Sequence, residues 1–118
     1  MKKHISILIP HGHTSLANIE GTHHIFNEVN SFLSATGRKP IFDVQLVGIS
    51  KETPQRNGLF KISPDLLIKD LPKTDLIIIP AIHGPADEVM EQNKEFVPWI
   101  IQQYRGGAEI VSFCIATF

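Results

Sequence analysis

Asp75-Leu76-Ile77-Ile78-Ile79-Pro80 sets four aliphatic side chains in a row between an acidic residue and a proline. With no polar residue at alternate positions, a strand built from this run has both faces covered, the habit of a central strand in a parallel sheet. Working outward, Ile5-Ser6-Ile7-Leu8-Ile9 is a second β-rich run, ended by Pro10 and Gly12 as a buried strand feeding a loop is. Ala108-Glu109-Ile110-Val111-Ser112-Phe113 is a third, and it leads to Cys114. Phe42-Asp43-Val44-Gln45-Leu46-Val47 alternates apolar and polar positions before Gly48, which predicts a strand with one face more exposed than the other.

Helical stripes fill the intervals. Ile19, Ile25, Phe26, Val29, Phe32 and Leu33 predict a helix from about Asn18 to Thr36, closed by Gly37. Phe96, Val97, Ile100, Ile101 and Tyr104 predict another, capped by Asn93 and ended by Gly106-Gly107, with Pro98 tolerated in its first turn. Pro80 and Gly84 read as a loop, and Asn57-Gly58 offers the φ > 0 pair of a tight hairpin between two weak extended segments. Strands alternating with helical crossovers imply right-handed βαβ units, hence an α/β fold with helices on both faces of a parallel sheet. Ligands gather at the carboxyl ends of such strands. That rule selects Pro10-His11-Gly12-His13, Pro80-Ala81-Ile82-His83-Gly84 and Cys114.

The gross numbers narrow the function. A length of 118 residues with 42% hydrophobic residues fits one domain, so the strands belong to a single core. Lysine and arginine (11) balance aspartate and glutamate (12), leaving no basic surplus to neutralise phosphates, so this chain alone is not expected to bind nucleic acid strongly. The apolar runs are far shorter than the roughly 20 residues of a membrane span. Met1-Lys2-Lys3 is followed by no long apolar stretch or small-residue cleavage site, so export is not expected. A single cysteine fits a reducing cytoplasm.

Ser112-Phe113-Cys114-Ile115-Ala116 places small residues two before and two after the cysteine, the steric requirement of a sharp nucleophile elbow between strand and helix. A thiol there would sit at a helix N-terminus, where the dipole favours thiolate and the Ile115 amide could form half of an oxyanion hole. The same pattern also describes a small buried hydrophobe at the end of a strand. His83 is a candidate base for Cys114, since a base must reach its nucleophile. His11, His13, His83 and Cys114 offer nitrogen and sulfur ligands, but without paired cysteines or H-E-x-x-H no metal site is assigned. Asn18 and Glu20, near the start of the first helix, read as an N-cap and a first-turn acid, or as groups that orient a ligand or hydrogen-bond the thiol.

Ile5-Ser6-Ile7-Leu8-Ile9-Pro10, Ile19-Glu20-Gly21 followed by Ile25-Phe26, Leu76-Ile77-Ile78-Ile79-Pro80, and Ala108 to Cys114 together resemble the class I glutamine amidotransferase-like (ThiJ/PfpI) superfamily. More narrowly, Gly21 with Ile25-Phe26, then Asn57-Gly58-Leu59 and Pro64-Asp65, then the Cys114 strand, are similar to the amino-terminal sensor domain of AraC-type transcriptional regulators. The resemblance implies a flavodoxin-like three-layer sandwich with a mostly parallel sheet, homodimerisation, and an elbow cysteine at Cys114. Catalytic members pair that cysteine with an acid at the position matched by Asn18, carry glycine where Ala81-Ile82 stands, and carry glycine where Ala116 stands. An amide carries no proton at neutral pH. These departures move the expectation from enzyme to sensor.

The resemblance therefore implies a partial ligand-sensing domain over residues 1–118, truncated after the elbow strand, with a helix-turn-helix DNA-binding domain downstream. A small-molecule effector would be held by Cys114, Ile115, Asn18, Ile82, His83 and His11, with no cofactor. The alternatives are a cysteine-dependent hydrolase, amidase or hydratase using Cys114 with Glu20 or His83, and a redox sensor in which peroxide oxidises Cys114.

Overall fold

The computed structural model describes residues 2–55 and 60–113. Nine strands (β1 Lys3–Leu8, β2 His13–Thr14, β3 Phe42–Gly48, β4 Thr53–Gln55, β5 Phe60–Ile62, β6 Leu66–Leu67, β7 Leu76–Ile79, β8 Ile82–His83, β9 Glu109–Ser112) and three α-helices (α1 Leu16–Ala35, α2 Ala86–Gln92, α3 Phe96–Arg105) make up its described residues. Five strands form a parallel sheet in the order β6-β3-β1-β7-β9. The fold is thus the α/β sandwich with a parallel sheet that the strand and helix alternation predicts, and its architecture is the flavodoxin-like, class I glutamine amidotransferase-like one that the resemblance implies. β4 and β5 form an antiparallel excursion, while its expected Asn57-Gly58 turn lies outside the described residues.

Alternation along the central strands divides the core in two. Ile5, Ile7 and Ile9 join Ile78 and Ile19 of α1 on one face, where Phe26 meets Phe42 edge-on at 4.9 Å. Leu8, Val47 and Ile77 join Leu71, Phe96 and Trp99 on the other, beneath α3. Because β1 and β7 feed both clusters, the apolar run of β7 and the nearly continuous one of β1, broken only by Ser6, are explained by two covered faces. On the α3 face, toward the amino ends of the strands, polar groups replace the hydrophobes. Thr74 Oγ1 lies 2.8 Å from both the His4 Nδ1 and the Ser6 hydroxyl, Gln103 Oε1 accepts from the Thr74 amide at 2.9 Å, and His4 Nε2 meets Gln45 Oε1.

Several expectations need correction. α1 begins at Leu16 and is capped by Ser15, whose hydroxyl accepts from the Asn18 amide at 3.3 Å; Asn18 is therefore not the N-cap, and Glu20 lies beyond the first turn. Its stripe splits, because only Ile19, Phe26 and Leu33 turn inward, while Ile25 (62% exposed) and Phe32 (67%) face solvent. On α3 the inward set is Phe96, Trp99, Ile100 and Gln103, with Val97, Ile101 and Tyr104 outside. Asn93 does not cap α3. It is the C-cap of α2, a helix present where a loop was read, and its side chain turns to β1's loop. β9 is the sheet edge among the described residues, with Ile110 and Val111 exposed.

Candidate functional site

β1 sends its crossover through α1 to β3 on one side, and β7 sends its own through α3 to β9 on the other. The topological switch point therefore falls between β1 and β7, where the loops after the two strands should part to leave a crevice. Here they are stitched together. β2 and β8 pair antiparallel, His13 opposite His83 and Thr14 opposite Ile82, and the Ser15 amide donates to the Ala81 carbonyl at 2.8 Å. Gly12 and Gly84 flank this ladder at φ +107° and +131°, conformations that L side chains rarely adopt, and let each loop reverse sharply.

Asn18 completes the stitch. Its Oδ1 accepts from the buried Ala81 amide at 2.9 Å. In catalytic relatives, the resemblance places an acid and a free loop amide at these positions; here a neutral amide occupies the first and hydrogen-bonds the second. Glu20 is exposed, and its side chain makes no hydrogen bond or ion pair among the described residues. Asn18→Ala would strand a buried N–H and is expected to cost about 1–2 kcal/mol of unfolding free energy, measured by denaturant titration. A change within error would contradict the structural role of this bond.

Behind the ladder, on the α3 face, lies a cavity of about 280 Å³ walled by Leu8, Ile79 and Ile82 from the sheet and Val89, Asn93 and Phe96 from the helices. Asn93 is its only polar lining side chain among the described residues, and that side chain is engaged. Its Oδ1 accepts from the His11 amide at 2.7 Å, and its Nδ2 donates to the carbonyls of His11 and Val89, both at 2.9 Å. The space thus suits a compact apolar group, close to the lower end of ordinary ligand pockets of roughly 300 Å³. Sequence reasoning missed Asn93's role and α2 itself. Pro85-Ala86-Asp87-Glu88, a proline followed by first-turn acids, was the available helix-start signal.

His11, Asn18 and His83 do not line that cavity. His11 Nε2 lies 3.3 Å from Ser50 Oγ in a separate polar crevice of about 330 Å³ with Gly12, Gln92 and Glu95. Ser50 gives its hydroxyl proton to the Glu52 carbonyl at 2.9 Å, so His11 is the donor in the pair. His83 is exposed on the outer side of the ladder, its ring 5.4 Å from that of His13. Of the four candidates among the described residues only Ile82 enters the apolar cavity, and Asn18 is committed to Ala81. Cys114 and Ile115, and with them the elbow and Ala116, lie outside the described residues. Among the described residues no group of three or more histidine, cysteine, aspartate or glutamate side chains is placed to hold a metal ion, and no helix is long and apolar enough to cross a membrane.

The fold is similar to that of ThiJ/PfpI-like (DJ-1 superfamily) proteins of solved structure. It is similar to a candidate transcriptional regulator from Vibrio parahaemolyticus, with a TM-score of 0.76 and 19% identity over 95% of this chain and 56% of that one. It is similar also to a ThiJ/PfpI family protein from Pseudomonas syringae (TM-score 0.72, 14% identity, 97% of this chain and 43% of that). A two-domain protein from Anabaena variabilis with DJ-1/ThiJ/PfpI-like and ferritin-like domains matches at TM-score 0.55 and 20% identity, over 96% of this chain and 30% of that. The chain thus spans about half or less of the length of these structures. No protein-family model and no curated protein matches the sequence.

Proposed function

We propose that the chain is a non-catalytic, ligand-sensing and dimerising part of an AraC-type transcriptional regulator, working in the cytoplasm. The observation that carries this reading is the Asn18–Ala81 hydrogen bond. It ties up the two groups that a catalytic cysteine at the elbow would call on, a proton carrier and a free loop amide. A pocket retained without its catalytic partners is suited to binding. The effector is a small molecule whose apolar part fits beside Ile82.

Two further features support the reading. Ile25, Val29 and Phe32 form an exposed apolar stripe at i, i+4, i+7 on α1, the pattern of a helix that packs on another surface, here a second copy. The near-neutral charge fits a division in which DNA contact is left to a helix-turn-helix domain downstream. The solved structure from Vibrio parahaemolyticus points the same way at the level of fold.

Turnover is the test against the hydrolase alternative. Activated esters, amides and a reactive dicarbonyl are incubated with the protein and with Cys114→Ala. Equal background rates are expected; turnover that disappears with Cys114→Ala would replace this reading with a cysteine-dependent enzyme.

A further inference from the structure

We propose that His13 and His83 form a chelating site for a divalent late first-row transition cation, Cu²⁺, Ni²⁺ or Zn²⁺, on the outer face of the β2–β8 ladder. The two residues stand directly opposite each other in an antiparallel pair. Directly opposed side chains point to the same face, with Cβ atoms roughly 4.5–5.5 Å apart. Their neighbours Thr14 and Ile82 are buried, so the alternation sends both imidazoles outward, where both are exposed. The ring centroids lie 5.4 Å apart at 73°.

Chelation by two histidines requires nitrogens brought to roughly 2.0–2.1 Å from one ion, a closure that side-chain rotation supplies once the two Cβ atoms are fixed across a ladder. The backbone beneath is already fixed, by the Ser15–Ala81 and Asn18–Ala81 hydrogen bonds. Imidazole is a ligand suited to zinc, copper and nickel, whereas calcium and magnesium require oxygen donors. Two protein ligands leave the other coordination positions to water or to a small ligand. A bound ion would clamp the loop after β1 to the loop after β7, across the switch point of the sheet. The sequence offers both histidines as nitrogen donors but not as a pair, since seventy positions separate them and only the ladder register makes them partners.

The test is calorimetric titration of the full chain with ZnCl₂, NiCl₂ and CuCl₂, together with thermal unfolding in excess metal and in chelator. One ion per chain and a metal-dependent rise in melting temperature are expected, because an ion that binds only the folded state stabilises it by mass action. His13→Ala and His83→Ala should each weaken binding and remove the thermal shift. A lost ligand should cost at least as much affinity as a lost outer-shell partner, roughly tenfold. His13→Gln and His83→Gln, which keep a polar side chain at each position, should behave in the same way, with circular dichroism verifying the fold. His24→Ala, on the exposed side of α1, should leave the affinity unchanged. Absence of binding, or unchanged affinity in either the His13 or the His83 variants, would overturn the proposal.

Discussion

Trp99→Ala is expected to lower the unfolding free energy by about 3–5 kcal/mol, the range for deleting a large aromatic side chain from a packed core. Trp99 is 7% exposed and packs with Leu8, Val47, Leu71, Ile77 and Phe96, and its Nε1 donates to the Leu71 carbonyl at 3.0 Å. Removing it opens a cavity under the central strands and frees a carbonyl. Since natural domains are stable by only about 5–15 kcal/mol, the loss should shift a urea midpoint strongly. Trp99 is also the only tryptophan, so the variant must be followed by far-ultraviolet circular dichroism rather than fluorescence. Trp99→Phe keeps much of the ring packing and should lose less, about 1–2 kcal/mol, mainly for the hydrogen bond. A Trp99→Ala loss under 1 kcal/mol would mean that α3 is not seated on the sheet as described.

Thr74→Val is expected to cost about 2–4 kcal/mol although it barely changes the side-chain volume. The Thr74 hydroxyl lies 2.8 Å from His4 Nδ1, accepts from Ser6 Oγ at 2.8 Å, and lies 3.2 Å from the His4 carbonyl. Thr74 is 1% exposed and Ser6 fully buried, so water cannot replace the lost partner. Ser6→Ala in the Thr74→Val background removes the hydroxyl that donated to Thr74, and the double variant should be destabilised by less than the sum of the single changes. Additive losses would show that the two hydroxyls do not act as a pair.

These two sites show what was and was not legible in the sequence. β7 was legible because a strand covered on both faces carries an unbroken apolar run, and β1 because its apolar run is broken only by the small Ser6, patterns with few other readings at such lengths. Trp99 was not. α3 carries apolar residues around much of its circumference, so Phe96, Val97, Ile100, Ile101 and Tyr104 formed as good a stripe as the one that packs, and only the sheet decides between them. α1 misled in the same way at Ile25 and Phe32, whose exposure follows from the position of the helix on the sheet rather than from its own pattern.

The candidate site was legible by location and not by contact. The carboxyl-edge rule placed His11, Ile82 and His83 on loops at the correct end of the sheet. The β2–β8 ladder was invisible because it is only two residues long on each side, below any periodicity. Asn18 and Asn93 were read as helix caps, the commonest task of asparagine near a helix end, whereas each spends its side-chain amide on the backbone of a loop far away in sequence. Local sequence cannot show that choice, since it depends on which loop arrives beside the helix.

The central claim, a sensing part of a regulator rather than an enzyme, is tested most directly by reading the encoding frame past Phe118. The account predicts further strands of the same domain followed by a pair of helix-turn-helix motifs. A frame that stops at Phe118, or continues without a helix-turn-helix pattern, would contradict it.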